Sequence, residues 1–223
     1  MGFIKKYTPA WFPADLVIPL LFLNICAFVI LLIPLNLYWM QWNLFLAWLP
    51  LLFSVFILWT SHGKKGIRRL VAMPLWLLWL FFFPNAPYML TDLIHLNGYR
   101  FNNGGRFTDD YHIWFSFLHI IAGVAIGCIL GVLSLIMLQR YIEKEFGVKQ
   151  GWLLVGGVSV LSGVAIWLGR VLRFNSWDIV FNPIGLLQSI MRRLDAGAFY
   201  MCVIFAVMTA GAYMMIKMFI PRK

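Results

Sequence analysis

Apolar runs close to the thickness of a bilayer core recur along this 223-residue chain, and they constrain its fold more than any other feature. In hydrocarbon, every backbone donor and acceptor must be satisfied within the protein, which leaves helices or closed barrels. The runs here are continuous rather than alternating, so helices are expected. Six spans are expected, at about 14–34, 42–60, 70–90, 113–138, 152–172 and 196–219. The expected fold is all-α, a polytopic transmembrane bundle forming one domain over residues 1–223. Charge content agrees, since 12% of residues are charged where a soluble domain carries about a quarter.

A net charge of +10 can mean nucleic acid, but the basic residues here form no single stripe. They gather at the ends of the apolar runs, where lipid head groups and the positive-inside rule account for them. Nucleic acid is therefore set aside as a partner, and membrane lipids are expected instead. Lys64, Lys65, Arg68 and Arg69 follow the second span, and Arg140, Lys144 and Lys149 follow the fourth. With Lys5, Lys6, Lys217, Arg222 and Lys223, that side holds twelve basic residues against six on the other. Both termini are expected in the cytoplasm. Lys5 and Lys6 ahead of an apolar run resemble a signal peptide, but no small-x-small site follows, so an uncleaved first span is expected. Cys26, Cys128 and Cys202 all fall inside apolar runs and read as packing residues.

Against this background the stretch FPNAPYMLTDLIHL, residues 83–96, stands out. Pro84 and Pro87 each remove a backbone donor and disfavour helix at the preceding residue. A break is expected near Asn85, with Asn85, Tyr88 or water satisfying the freed carbonyls. It is either a plain helix stop or a broken helix that builds a cavity. Beyond it, Asp92 and His95 lie three residues apart, on one face if the segment is helical. Such a pair can bind a metal, or the carboxylate can orient the imidazole. A cap and a hydrogen bond are the simpler alternative.

The same outer side receives the start of the fourth span and the end of the fifth. Asp109, His112, Ser116 and His119 are spaced as one helical stripe, which must face the bundle or a water-filled space. Otherwise Asp109 and His112 belong to a loop and His119 alone is buried. Arg170 and Arg173 can hold a phosphate or carboxylate bidentately, or can neutralise Asp92 and Asp178 in an ion-pair lattice. Gly123, Gly127 and Gly131 repeat at four-residue spacing, and Ser159 and Gly163 do likewise, signs of close helix approach. Residues 182–194 are too few to span, and Asn182, Pro183, Arg192 and Arg193 suit a short interfacial or re-entrant helix near 183–193.

The motifs FPNAPYxxTDxxH and GRxxRxNSWD together resemble a bacterial integral-membrane family known as domain of unknown function 1361. The resemblance implies a multi-pass protein of the bacterial cytoplasmic membrane and no activity. It singles out Asn85, Pro87, Tyr88, Thr91, Asp92, His95, Arg170, Arg173, Asn175, Trp177 and Asp178. The functional expectation is an enzyme acting on a lipid or lipid-linked anionic substrate at the outer face. Asp92, His95 and Asp178 would be catalytic, and Asn85, Tyr88, Arg170, Arg173, Asn175 and Trp177 would bind substrate. Asp92, His95 and His112 would form a site for a divalent metal such as zinc. The alternative is a non-catalytic partner of another envelope protein. A transporter is less favoured, because the polar residues crowd one face and leave little to line a path across.

Overall fold

The computed structural model describes residues 13–33, 37–61, 65–174 and 178–220. A 3-10 turn, Ala14–Leu16, leads into α1 (Val17–Leu32), followed by α2 (Tyr38–Ser61) and α3 (Lys65–Phe82). A short α4 (Asn85–Tyr88) and a 3-10 segment (Met89–Gly98) continue α3 past a break. Then come α5 (Tyr111–Phe146), α6 (Val148–Arg170), α7 (Asp178–Phe181), α8 (Pro183–Arg193) and α9 (Ala196–Met218). The all-α membrane bundle is observed, with two departures from expectation.

The first departure is in how the opening span is built. Five helical stretches among the described residues are each long and apolar enough to span, the second being Val71–Gly98 across the break. The first expected span is built from the 16-residue α1, about 24 Å long at 1.5 Å per residue, and the 3-10 turn Ala14–Leu16 that leads into it adds about 6 Å, so together they match a hydrocarbon core of about 30 Å. Its buried residues Leu16, Leu20, Leu23, Ala27 and Ile30 repeat at helical period and form one packed face. The second departure is a two-stranded hairpin, β1 (Asn102–Asn103) with β2 (Arg106–Phe107). Gly104 and Gly105 turn it with φ of +63° and +88°, the left-handed pair that a tight hairpin turn requires.

α5 is the central helix. It packs against α1, α2, α6, α9 and the segment after the break. Its glycines explain how that segment comes so close. A Cβ at Gly123 would lie 2.6 Å from Met40 Sδ, one at Gly127 would overlap Met89 Sδ, and one at Gly131 would overlap Ala86 Cβ. The glycine stripe thus receives α2 and the broken end of α3. Gly163 serves the α6–α9 contact, where a Cβ would overlap the Cys202 carbonyl, whereas Gly156 faces open space.

The residues between spans four and five form no loop. α5 continues to Phe146, and Gly147, at φ +106°, alone turns the chain into α6. Buried polar links tie the helices together. Trp79 Nε1 donates to Ser134 Oγ (2.6 Å), which donates to the Pro50 carbonyl (3.0 Å), joining α3, α5 and α2. At one end of the bundle Arg140 pairs with Asp15 at 2.8 Å, and Lys217 donates to Gln139 Oε1 at the same distance. The start of α1 and the ends of α5 and α9 therefore share one side.

Candidate functional site

The opposite end holds the candidate site, and the break in α3 makes it. Pro84 and Pro87 carry no N–H, and Asn85 Nδ2 donates to the Phe82 carbonyl at 2.9 Å, closing the end of α3. Beyond Tyr88 the chain tightens into a 3-10 helix of ten residues, long for this geometry. That winding turns Asp92 inward, where it is fully buried.

Both Asp92 oxygens are engaged. Oδ2 accepts from Asn43 Nδ2 at 2.7 Å, and Oδ1 accepts from the Arg170 guanidinium, forming an ion pair. Arg170 Nε donates to Thr91 Oγ1 at 2.8 Å, and Thr91 Oγ1 donates to the Tyr88 carbonyl at 2.6 Å. The Arg170 guanidinium lies 4.3 Å from the centre of the Tyr88 ring, a cation–π contact. Gly169 leaves room for that ring, since a Cβ there would meet Tyr88 Cε2 at 3.2 Å. One network thus joins α2, the broken α3 and the end of α6.

A cavity of about 1060 Å³ opens beside this network. Its walls are Leu77, Leu78, Leu80, Phe81 and Phe82 of α3 and Leu161, Ala165, Ile166 and Leu168 of α6. Its polar end is formed by Asn43, Asn85, Tyr88, Arg170 and Arg173, with Leu186 of α8 also lining it. From Leu161 to Arg170 the apolar wall runs about 13 Å along the helix axis. Leu77 and Leu161 line the cavity yet are 58% and 50% exposed, so it opens sideways along its apolar part. α3 makes extensive contact with α2 rather than α6, leaving that side unsealed.

Arg173 stands differently from Arg170. It is exposed, lines the cavity and forms no ion pair among the described residues. Its backbone φ of +60° is left-handed, a conformation in which a side chain other than glycine's costs about 1–2 kcal/mol. Phe174 N, donating to the Leu168 carbonyl at 3.1 Å, closes the turn around it.

The expected metal set does not assemble. Among the described residues no three of His, Cys, Asp and Glu come together to hold an ion. Each oxygen of Asp92 is already engaged, by Asn43 and by Arg170, and His95 lies exposed with its ring 4.1 Å from that of Trp39. His112 is exposed in the first turn of α5, its ring 3.9 Å from that of Tyr111, because that turn projects beyond the bundle. The N-cap of α5 is Asp110, whose Oδ1 accepts from His112 N at 2.9 Å. His119 alone of the α5 stripe is buried, and its Nδ1 has no hydrogen-bond partner among the described residues.

Asp178 opens α7, is half-buried and is not among the described residues lining the cavity. Asn175 and Trp177 lie outside the described residues. Asn43 was not expected at the site. Its one signal is an amide inside an otherwise apolar run, which in a membrane helix must find a partner.

A model of the family described as protein of unknown function (DUF1361) matches residues 42–211. The chain belongs to that family. No curated protein and no solved structure matches it. The DUF1361 match contains every described polar residue of the cavity, from Asn43 to Arg173, and leaves α1 outside.

Proposed function

We propose that this DUF1361 protein holds an amphiphile with an anionic head, a lipid or lipid-linked substrate, in the cavity between α3 and α6. The observation that carries the reading is the form of that cavity: an apolar trough open sideways, ending at Arg170 and Arg173. Its volume is at the upper end of the range for ligand pockets, about 300–1,000 Å³. An opening along exposed leucines at bilayer depth admits a hydrocarbon chain without exposing it to water. A flat polar patch would favour docking of an envelope protein; a trough of this depth favours a ligand.

The described lining offers amide, phenol and guanidinium donors but no carboxylate, imidazole or thiol. Holding the ligand is what this geometry supports best. Asp92, engaged at both oxygens, is assigned to positioning Arg170, and Asn43, Asn85, Tyr88, Arg170 and Arg173 to the head group. We infer that the site faces the outer side of a bacterial cytoplasmic membrane, with both termini in the cytoplasm. The twelve-to-six basic bias supports that orientation.

Native mass spectrometry of the protein extracted from its membrane tests the reading. The wild type should retain an amphiphile that Ala165→Trp, which fills the trough, has lost. Leu161→Trp, at a more exposed position, serves if the first variant melts early. Equal retention by wild type and a folded, filled variant would contradict the proposal.

A further inference from the structure

The charges at the polar end go beyond the presence of a ligand. We infer that the head-group subsite takes a singly charged anion, a carboxylate or phosphodiester, in preference to a pyrophosphate. This rests on the cavity reading above.

Two cations line the cavity, but only one has charge to offer. Arg170 is neutralised by its ion pair with Asp92, which is fully buried and is not among the described residues lining the cavity. The guanidinium has five N–H donors, of which Thr91 and Asp92 take two. Arg170 therefore presents the cavity with hydrogen-bond donors and almost no net charge. Asn43 and Asn85 also line the end as neutral groups, with the Tyr88 phenol beside them. Arg173 is the one lining cation without an ion pair among the described residues, and no acid lines the cavity among them.

The subsite thus sums to one positive charge surrounded by neutral donors. A monoanion with two oxygens matches it: one charge for Arg173, and acceptor lone pairs for the remaining donors. A second negative charge would find no cation, in a site walled by leucine and phenylalanine where charge is poorly solvated. The backbone strengthens the case for Arg173. A glycine would fit its φ of +60° without strain, and an arginine there is held against local preference.

Titration of the purified protein in neutral detergent tests this, read by native mass spectrometry or thermal shift. The probes are phosphatidylglycerol, diacylglycerol, geranylgeranyl pyrophosphate and dimethyl phosphate. Phosphatidylglycerol should bind tightest. Arg173→Gln should weaken it about ten- to hundredfold, the range for one charge-assisted hydrogen bond, and should not weaken uncharged diacylglycerol comparably. Arg173→Gly should melt no earlier than wild type and yet lose the same affinity, separating ligand binding from a structural role.

Pyrophosphate binding tighter than phosphatidylglycerol would overturn the single-charge inference while leaving the cavity reading intact. Equal loss of all lipids in Arg173→Gln would do the same. Dimethyl phosphate binding as tightly as phosphatidylglycerol would show that a free anion, not an amphiphile, is the ligand. If no probe distinguishes wild type from Ala165→Trp, the cavity reading itself fails.

Discussion

Replacing Asp92 by alanine should be among the most damaging single changes in the molecule. Asp92 is fully buried, and the Arg170 side chain it faces is 22% exposed. Removing the carboxylate leaves a largely buried guanidinium unpaired. Breaking a buried pair from one side costs about 3–5 kcal/mol, and partial exposure of Arg170 to the cavity favours the lower end, about 3 kcal/mol. The Asn43 amide also loses its acceptor, adding about 1 kcal/mol. A loss of about 4 kcal/mol is expected, measured by reversible unfolding in mixed micelles with helical circular dichroism as the readout. The double variant Asp92→Leu with Arg170→Met should recover most of it, because a buried pair can be replaced by apolar groups at little cost. The ion-pair account fails if Asp92→Ala costs less than about 1 kcal/mol, or if the double variant is as unstable as the two single losses added together.

Three further outcomes are expected. Gly131→Leu should destabilise by about 2 kcal/mol or more because its Cβ meets Ala86, whereas Gly156→Ala, facing open space, should be neutral or mildly stabilising; the same unfolding assay ranks them. Cysteine placed at Gly104 should react with an impermeant maleimide on intact cells and cysteine at Glu145 only after permeabilisation, the reverse pattern refuting the orientation. His119→Phe should raise stability by about 1 kcal/mol by removing a buried nitrogen that lacks a partner, as a melting shift would show.

Much of this arrangement was legible from sequence because hydrocarbon allows few solutions. Apolar runs called for helices, two prolines called for a break, and the four-residue glycine repeat marked the face of α5 that the broken segment approaches. The ion-pair alternative for Arg170 and Asp92 could be stated because acids are few and both residues close spans on the same side. Other features had weaker signals. Asn43 carries no charge and breaks no pattern, so its bond to Asp92 depends on the packing of α2. The spacing of Asp92 and His95 implies a shared helical face, yet within the 3-10 segment one is buried and the other exposed. His112 looked like part of an inward stripe, yet α5 begins at Tyr111 and its first turn projects outward. Residues 139–151 read as a loop by charge, although nothing before Gly147 interrupts the helix. Hydropathy marks the first span without revealing that its opening turn winds as a 3-10 helix before α1 begins.

The central claim is a chain-bearing anion held between α3 and α6. The most direct measurement is an electron cryomicroscopy map of the protein in a nanodisc of mixed anionic and zwitterionic lipid, with an antibody fragment added for size. The account predicts elongated density along Leu77 and Leu161 ending in a head group within hydrogen-bonding distance of Arg173 and Arg170. A trough closed by direct packing of α3 on α6, with Arg173 turned toward bulk water, would contradict it.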